Sequence, residues 1–239
     1  MSQVSGSTVG AQQAELADAN RILFEQGVLD AFGHVSVRSE DDPETFLLSR
    51  NLAPALVGPK DVQRFTLDAV TDDPRPPYLE RFIHAEIYRA RPDVMAVVHS
   101  HSPAVVPFSV SAIPLRPVLH MAGFLPQATP VFEIREVAGT GTDLLVRTAE
   151  LGVALADALG RAPVALMRGH GSVAVGGTLP EAVYRAIYTE VNARAQAQAL
   201  QLGGATFLTA EEGAAAAATN ASQIDRAWTF WRDHARPAR

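Results

Sequence analysis

The chain contains no cysteine. Disulfides, thiolate metal sites and a cysteine nucleophile are therefore excluded, and any metal must be held by nitrogen and oxygen. Lysine is almost missing too: Lys60 stands alone among 20 basic residues, and the rest are arginine. With 26 acidic residues and a formal net charge of −6, there is no basic footprint for nucleic acid or an anionic membrane. No apolar run approaches the ~20 residues of a membrane span. Residues 1–10 are small and polar, read as a flexible start without the basic-then-apolar order of a signal peptide. A cytoplasmic enzyme is the resulting expectation.

What is present is an ordinary globular composition, 47% hydrophobic and 19% charged over 239 residues. That length suits one α/β domain spanning 1–239, with 204–239 as a helical extension. Helical spacing predicts a helix from Ala11 to Glu25, stopped at Gly27. Alternation predicts strands at His34–Arg38, Thr45–Ser49 and Val62–Leu67. The proline-rich stretch Asp72–Pro77 must be loop. A helix over Leu79–Arg91 ends at Pro92, and Val94–His99 reads as a buried strand. Further on come a short helix from Pro103, a strand near Pro130–Ile134 and a helix over Thr142–Leu159. Val164–Met167 and Ser172–Val175 read as strands paired around Arg168-Gly-His-Gly171. A long helix runs from Thr178 to about Leu202, and a last helical segment from Ala210 to Asp233. Strands and helices interleave, which predicts one sheet covered by helices.

The seven histidines carry the chemistry. His99 and His101 lie two apart at a strand end, on one face, so both rings can reach one ion; a pair of packed or solvent-facing histidines is the plainer alternative. His170 lies between two apolar strands, flanked by glycines that permit close backbone approach. Three imidazoles leave a coordination position open for water or substrate. Manganese, zinc, iron and cobalt all suit such a set, and the donor types alone do not choose among them. Glu80 opens the helix ahead of this strand. It is either a ligand and proton shuttle or a carboxylate placed by the helix dipole. His84, one turn on, could orient Glu80 but reads first as a buried structural ring, and His234 reads as surface. Tyr184 and Tyr188, one turn apart, read as structural; Phe32 is a plausible aromatic wall of the site, with core packing the preferred reading.

Taken together, Glu80-Arg-Phe-Ile-His84, Arg91-Pro-Asp93, Ala96-Val-Val-His99-Ser-His101 and Arg168-Gly-His170-Gly171 resemble the class II aldolase/adducin family. Gly33-His-Val-Ser-Val-Arg38 is similar to that family's Gly-Asn-Val-Ser-x-Arg hairpin. The resemblance runs from about residue 12 to 202. It implies a three-layer α/β/α sandwich around a largely antiparallel sheet, a homotetramer with interface active sites, and a divalent metal on His99, His101 and His170, with Glu80 as acid/base and possible ligand.

The sequence departs from the family's sugar-phosphate aldolases where those hold phosphate. The hairpin asparagine is His34, a Thr-Gly pair is replaced within Ser49-Arg50-Asn51, and two serines by Tyr78-Leu79. Loss of these donors argues against a phosphorylated substrate. His120 falls near the position of a proton-donating tyrosine. These departures resemble the decarboxylase branch, which acts on hydroxylated aromatic or pyridine carboxylic acids in aromatic compound degradation. The implied reaction is loss of CO2 from a metal-chelated hydroxy acid through an enolate, with Glu80 and His120 catalytic. His34, Arg50, Arg81, Tyr78 and Phe124 are the candidate contacts to a small carboxylate substrate. Cleavage of an unphosphorylated hydroxy-keto compound and a non-catalytic adducin-like role are the alternatives, with an iron-dependent oxygenase more remote.

Overall fold

A computed structural model describes residues 4–235. The expectation of a flexible start falls partly outside these, on residues 1–3; from Val4 the chain is helical. Seven strands form one sheet: β1 (His34–Arg38), β2 (Thr45–Ser49), β3 (Val62–Thr66), β4 (Ala96–Ser100), β5 (Val131–Phe132), β6 (Val164–Met167) and β7 (Gly171–Gly176). Their order is β3-β2-β1-β4-β7-β6-β5. Every pairing is antiparallel except the short β5–β6 pair.

Alternation along the strands splits the core in two. Val35, Val37, Ala96, Val98 and Ala174 face one layer, with Leu16, Ile22, Val183 and Trp228. Those residues belong to α1 (Val4–Glu25), α6 (Leu179–Gln201) and α8 (Ile224–Ala235). Phe46, Leu48, Val97, Val173 and Val175 face the other, where Ile83, Ile87, Leu155 and Leu159 come from α2 (Arg81–Ala90) and α5 (Ala149–Leu159). The product is the expected α/β/α sandwich around a mostly antiparallel sheet. Among the described residues no helix is long and apolar enough to cross a membrane.

Two helical expectations are corrected. The predicted helix over 142–159 begins only at Ala149, where Thr148 Oγ1 accepts from the Leu151 amide and caps it. Ahead of it, Thr142 Oγ1 and Asp143 Oδ1 take the amides of Leu144 and Leu145, and Leu144 sits at φ 70°, so a local side-chain alternative displaces the helix. The expected final helix is two: α7 (Ala210–Ala221) and α8. α7 lies on the turn His120–Ala122, tied there by Asn220 Nδ2 donating to the His120 carbonyl. α8 buries Trp228 and Trp231 in the α1/α6 layer. One straight rod cannot meet both surfaces. The two remaining short helices are α3 (Val106–Val110) and α4 (Arg135–Ala138).

Arg38 locks the hairpin to the sheet. Buried, it donates to the carbonyls of Val94, Pro43, Tyr88 and Arg91. A guanidinium presents five fixed N–H groups, and here four carbonyls from three segments use them.

Candidate metal centre

The face of the sheet that bears Val97 also bears His99, two residues on in β4. Pairing sets His99 between His34 of β1 and Val173 of β7. His101 follows where β4 ends, His170 occupies the β6–β7 turn, and Glu80 is the residue ahead of α2. One ligand atom from each of Glu80, His99, His101 and His170 lies within 4.8 Å of every other. His101 Nε2 is 3.0 Å from both His99 Nε2 and His170 Nε2. Glu80 Oε2 is 3.4 Å from His99 Nε2 and 3.5 Å from His170 Nε2.

The outer atoms decide what the inner ones offer. His99 Nδ1–H donates to the Ser172 carbonyl at 3.1 Å, and His170 Nδ1–H to the Leu144 carbonyl at 2.9 Å. Carbonyl oxygens only accept, so both rings hold their hydrogen outward and turn a bare Nε2 inward. Glu80 Oε1 takes the Val146 amide at 3.0 Å, which leaves Oε2 for the histidines. Two lone pairs and a carboxylate converging at such distances repel unless a positive charge sits among them. A divalent cation fits this donor set.

Titration reflects the same crowding of groups. Burial alone would push the Glu80 carboxyl up, but the His170 and His99 rings beside it hold it far below the usual carboxylate range. His170 is raised despite its burial because Glu80 favours its cationic form. Burial takes His101 down to about 4, helped by the neighbouring His99 and His170.

Tight backbone packing carries the geometry. A methyl on Gly171 would fall 1.9 Å from the Ser100 carbonyl oxygen, and one on Gly33 (φ 86°) would fall 2.9 Å from the His99 carbonyl oxygen. These are sites where only glycine lets strands close around the cluster.

Beside the cluster opens a cleft of about 290 Å³, walled by Phe32, His34, Tyr78, Leu79, Leu145 and the cluster residues Glu80 and His101. Phe32, for which the sequence favours core packing over a place in the wall, is 67% exposed and lines the cleft, with its ring 6.4 Å from His101. Gly33 and the helix-ending turn before it hold this segment outside the sheet's core. Tyr78 donates its hydroxyl to the Leu52 carbonyl and presents its ring. His34 is buried, its ring tilted against that of Tyr78 with centroids 4.6 Å apart. Burial, then His84 and His99, push its basicity well below the ordinary value, so it meets the cleft as a neutral ring rather than a cation. His84 does not orient Glu80. It bonds His34 and Ser36, and burial brings it down to about 3.

The remaining candidates lie elsewhere. Arg81 donates to the carbonyls of Ala69 and Tyr78 and stacks over Phe82, so its guanidinium is spent on the backbone. Arg50 is drawn onto Asp61 at 2.8 Å and is not among the residues of the cleft wall. Phe124 packs against Tyr184 and borders a separate small cavity with Met121. His120 is exposed in the turn before that cavity, outside the cleft of its own chain. Tyr184 and Tyr188 pack against each other with tilted rings 4.6 Å apart, and His234 rests on Phe230 at the surface. The sequence reading missed the backbone atoms of Leu144, Val146 and Ser172 that aim the ligands. The Gly-Thr-Gly-Thr-Asp composition of 139–143 was the available signal that a shaped loop, not a helix, stood there.

Comparison with known proteins bears on all of this. The profile of the Class II Aldolase and Adducin N-terminal domain matches residues 14–197. The decarboxylase tropJ of Talaromyces stipitatus is 40% identical over 235 residues, covering 88% of each chain. The 3,4-dihydroxyphthalate decarboxylase of Terrabacter sp. is 33% identical, covering 82% of this chain and 84% of its own. Among solved structures, L-fuculose 1-phosphate aldolase from Glaciozyma antarctica superposes with a TM-score of 0.78 over 98% of this chain and 92% of its own, at 21% identity, a likeness of fold. The chain therefore belongs to the class II aldolase/adducin family.

Proposed function

We propose that this chain is a metal-dependent carboxy-lyase that removes CO2 without oxidation from a hydroxylated aromatic or pyridine carboxylic acid. The observation that carries the reading is the convergence of His99, His101 and His170 Nε2 with Glu80 Oε2 at the edge of an apolar, aromatic-walled cleft. Support also comes from relatives named as decarboxylases that match along most of the chain. Among the described residues no arginine or lysine lines the cleft, which disfavours a dianionic phosphate.

His99, His101 and His170 would hold a divalent cation, manganese or zinc by preference, with Glu80 as a further ligand. When bound it would supply Lewis acidity to the oxygens of a chelating hydroxy acid. Phe32 and Tyr78 would flank the ring and exclude water. In the net step the ring carbon accepts a proton, its bond to the carboxylate breaks, CO2 leaves and aromaticity returns. Glu80 is held ionised by its surroundings and is suited to the role of ligand or base. That leaves His120 to deliver the proton, and its exposed turn would reach the cleft of a neighbouring protomer in a homotetramer.

The test is CO2 evolution by the metal-reconstituted protein from 3,4-dihydroxyphthalate and related ortho-hydroxy aromatic acids, with His99→Ala as control. Turnover that survives in His99→Ala would refute the site. Aldehyde release from hydroxy-ketones, with no CO2 from any aromatic acid, would replace decarboxylation by aldol cleavage.

A further inference from the structure

A chain of four buried side chains leads from the core to the cleft. Tyr88 Oη lies 2.8 Å from Ser36 Oγ, Ser36 Oγ lies 2.6 Å from His84 Nδ1, and His84 Nε2 lies 2.7 Å from His34 Nδ1. All four residues are buried, none more than 3% exposed. Their placement follows from the fold. His34 and Ser36 alternate onto the α2 face of β1, while His84 and Tyr88 are one turn apart on α2.

The hydrogens in this chain can run in only one direction. Among the described residues the Tyr88 hydroxyl has one side-chain partner, Ser36 Oγ. A buried phenol that gave its hydrogen to nothing would leave a costly unmade bond, so Tyr88 donates to Ser36. Ser36 must then spend its single hydrogen on His84 Nδ1. With Nδ1 accepting, the neutral His84 carries its hydrogen on Nε2 and donates it to His34 Nδ1. The neutral His34 in turn carries its own on Nε2. That nitrogen has no partner among the described residues, is absent from the buried atoms left unsatisfied, and belongs to a residue of the cleft wall. We infer that Tyr88, Ser36 and His84 are positioning residues that fix His34 as an Nε2–H donor facing the cleft, and that His34 selects substrates placing an acceptor oxygen, a carboxylate or phenolate, against it.

The choice of aromatic acid rests on the proposed function; the direction of the relay does not. Neutron diffraction from deuterium-exchanged crystals of the metal-loaded protein decides the relay with no substrate present. Deuterium is expected on Nε2 of His34, on Nε2 of His84, and on Ser36 Oγ toward His84; deuterium on His34 Nδ1 overturns the inference. The donor's role is read by calorimetry with 2,3-dihydroxybenzoate as probe. His34→Leu is expected to weaken binding about tenfold, the worth of one hydrogen bond, and His34→Gln, which keeps an N–H donor, to recover most of it. Equal affinity in wild type and His34→Leu at unchanged metal content overturns the selective role. Wild type that ignores the probe, with the deuterium pattern as expected, sinks the aromatic-acid reading instead.

Discussion

Replacing Gly171 by alanine is expected to unseat the cation while every ligand stays in the sequence. The added methyl would meet Ser100 O at 1.9 Å, Ser100 C at 2.9 Å and His101 Cα at 3.1 Å. These are backbone atoms, so no rotamer change relieves the contact. Moving from 1.9 Å to the 3.4 Å of ordinary packing opens β4 from β7 by about 1.5 Å. His170 immediately precedes the substituted residue and His101 sits on the displaced chain, so their Nε2 atoms, now 3.0 Å apart, would separate by a similar amount. A cation–nitrogen bond tolerates only about 0.2 Å. Overpacking of this kind costs roughly 1–3 kcal/mol, which for a chain of this size lowers Tm by about 2–12 °C. A 1 Å misplacement of reacting groups costs about a hundredfold in rate. Metal per chain by mass spectrometry, Tm by calorimetry and CO2 release would be measured beside Gly141→Ala, where no atom lies within 4 Å of the new methyl. Gly171→Ala with full metal content and undiminished turnover would refute the claim that strand closure holds the site.

Other expectations can be checked separately. Adding manganese or zinc to chelator-treated protein should raise Tm in wild type and leave His99→Ala unmoved, since only the native set gains the binding free energy, about 2.7 kcal/mol at a hundredfold excess over Kd. Arg38→Ala should cost about 3–5 kcal/mol in urea melts, because four carbonyls lose a charged donor within the fold. Asn192, fully buried, takes the amides of Val118 and Leu119 and donates to the Arg116 carbonyl. Asn192→Ala should therefore loosen the approach to His120 and lower kcat with metal content intact. If neighbouring chains share a site, mixing inactive His99→Ala and His120→Phe proteins should restore about a quarter of wild-type activity on random reassembly, and none if each chain works alone.

The parts of the fold that were legible in sequence are those governed by a local period. β1 and β2 fall on their expected residues because alternating side chains in 34–38 and 45–49 meet one buried layer each. His99 and His101 were legible for the same reason: a two-residue spacing at a strand end aims two rings one way. The link from these to His170 and Glu80 is tertiary, and the family resemblance supplied it where periodicity could not. Arg81 looked available because a sequence does not display the Ala69 carbonyl that occupies it. Phe32 looked like core because hydrophobicity alone does not reveal which side of a turn a ring will take. The loop at 142–148 was hidden by apolar Leu144, Leu145 and Val146, whose spacing suits a helix until Thr142, Asp143 and Thr148 claim the amides.

That loop has an evolutionary consequence. It aims His170 through the Leu144 carbonyl and Glu80 through the Val146 amide, atoms that every genetic substitution but one retains. Proline at 146 would erase the amide, and a deleted or inserted residue would shift both contacts at once. Short of those lesions, the side chain of Leu145, the loop residue on the cleft wall, can be exchanged while both contacts persist, leaving the outline of the adjoining cleft free to be remodelled for a different substrate.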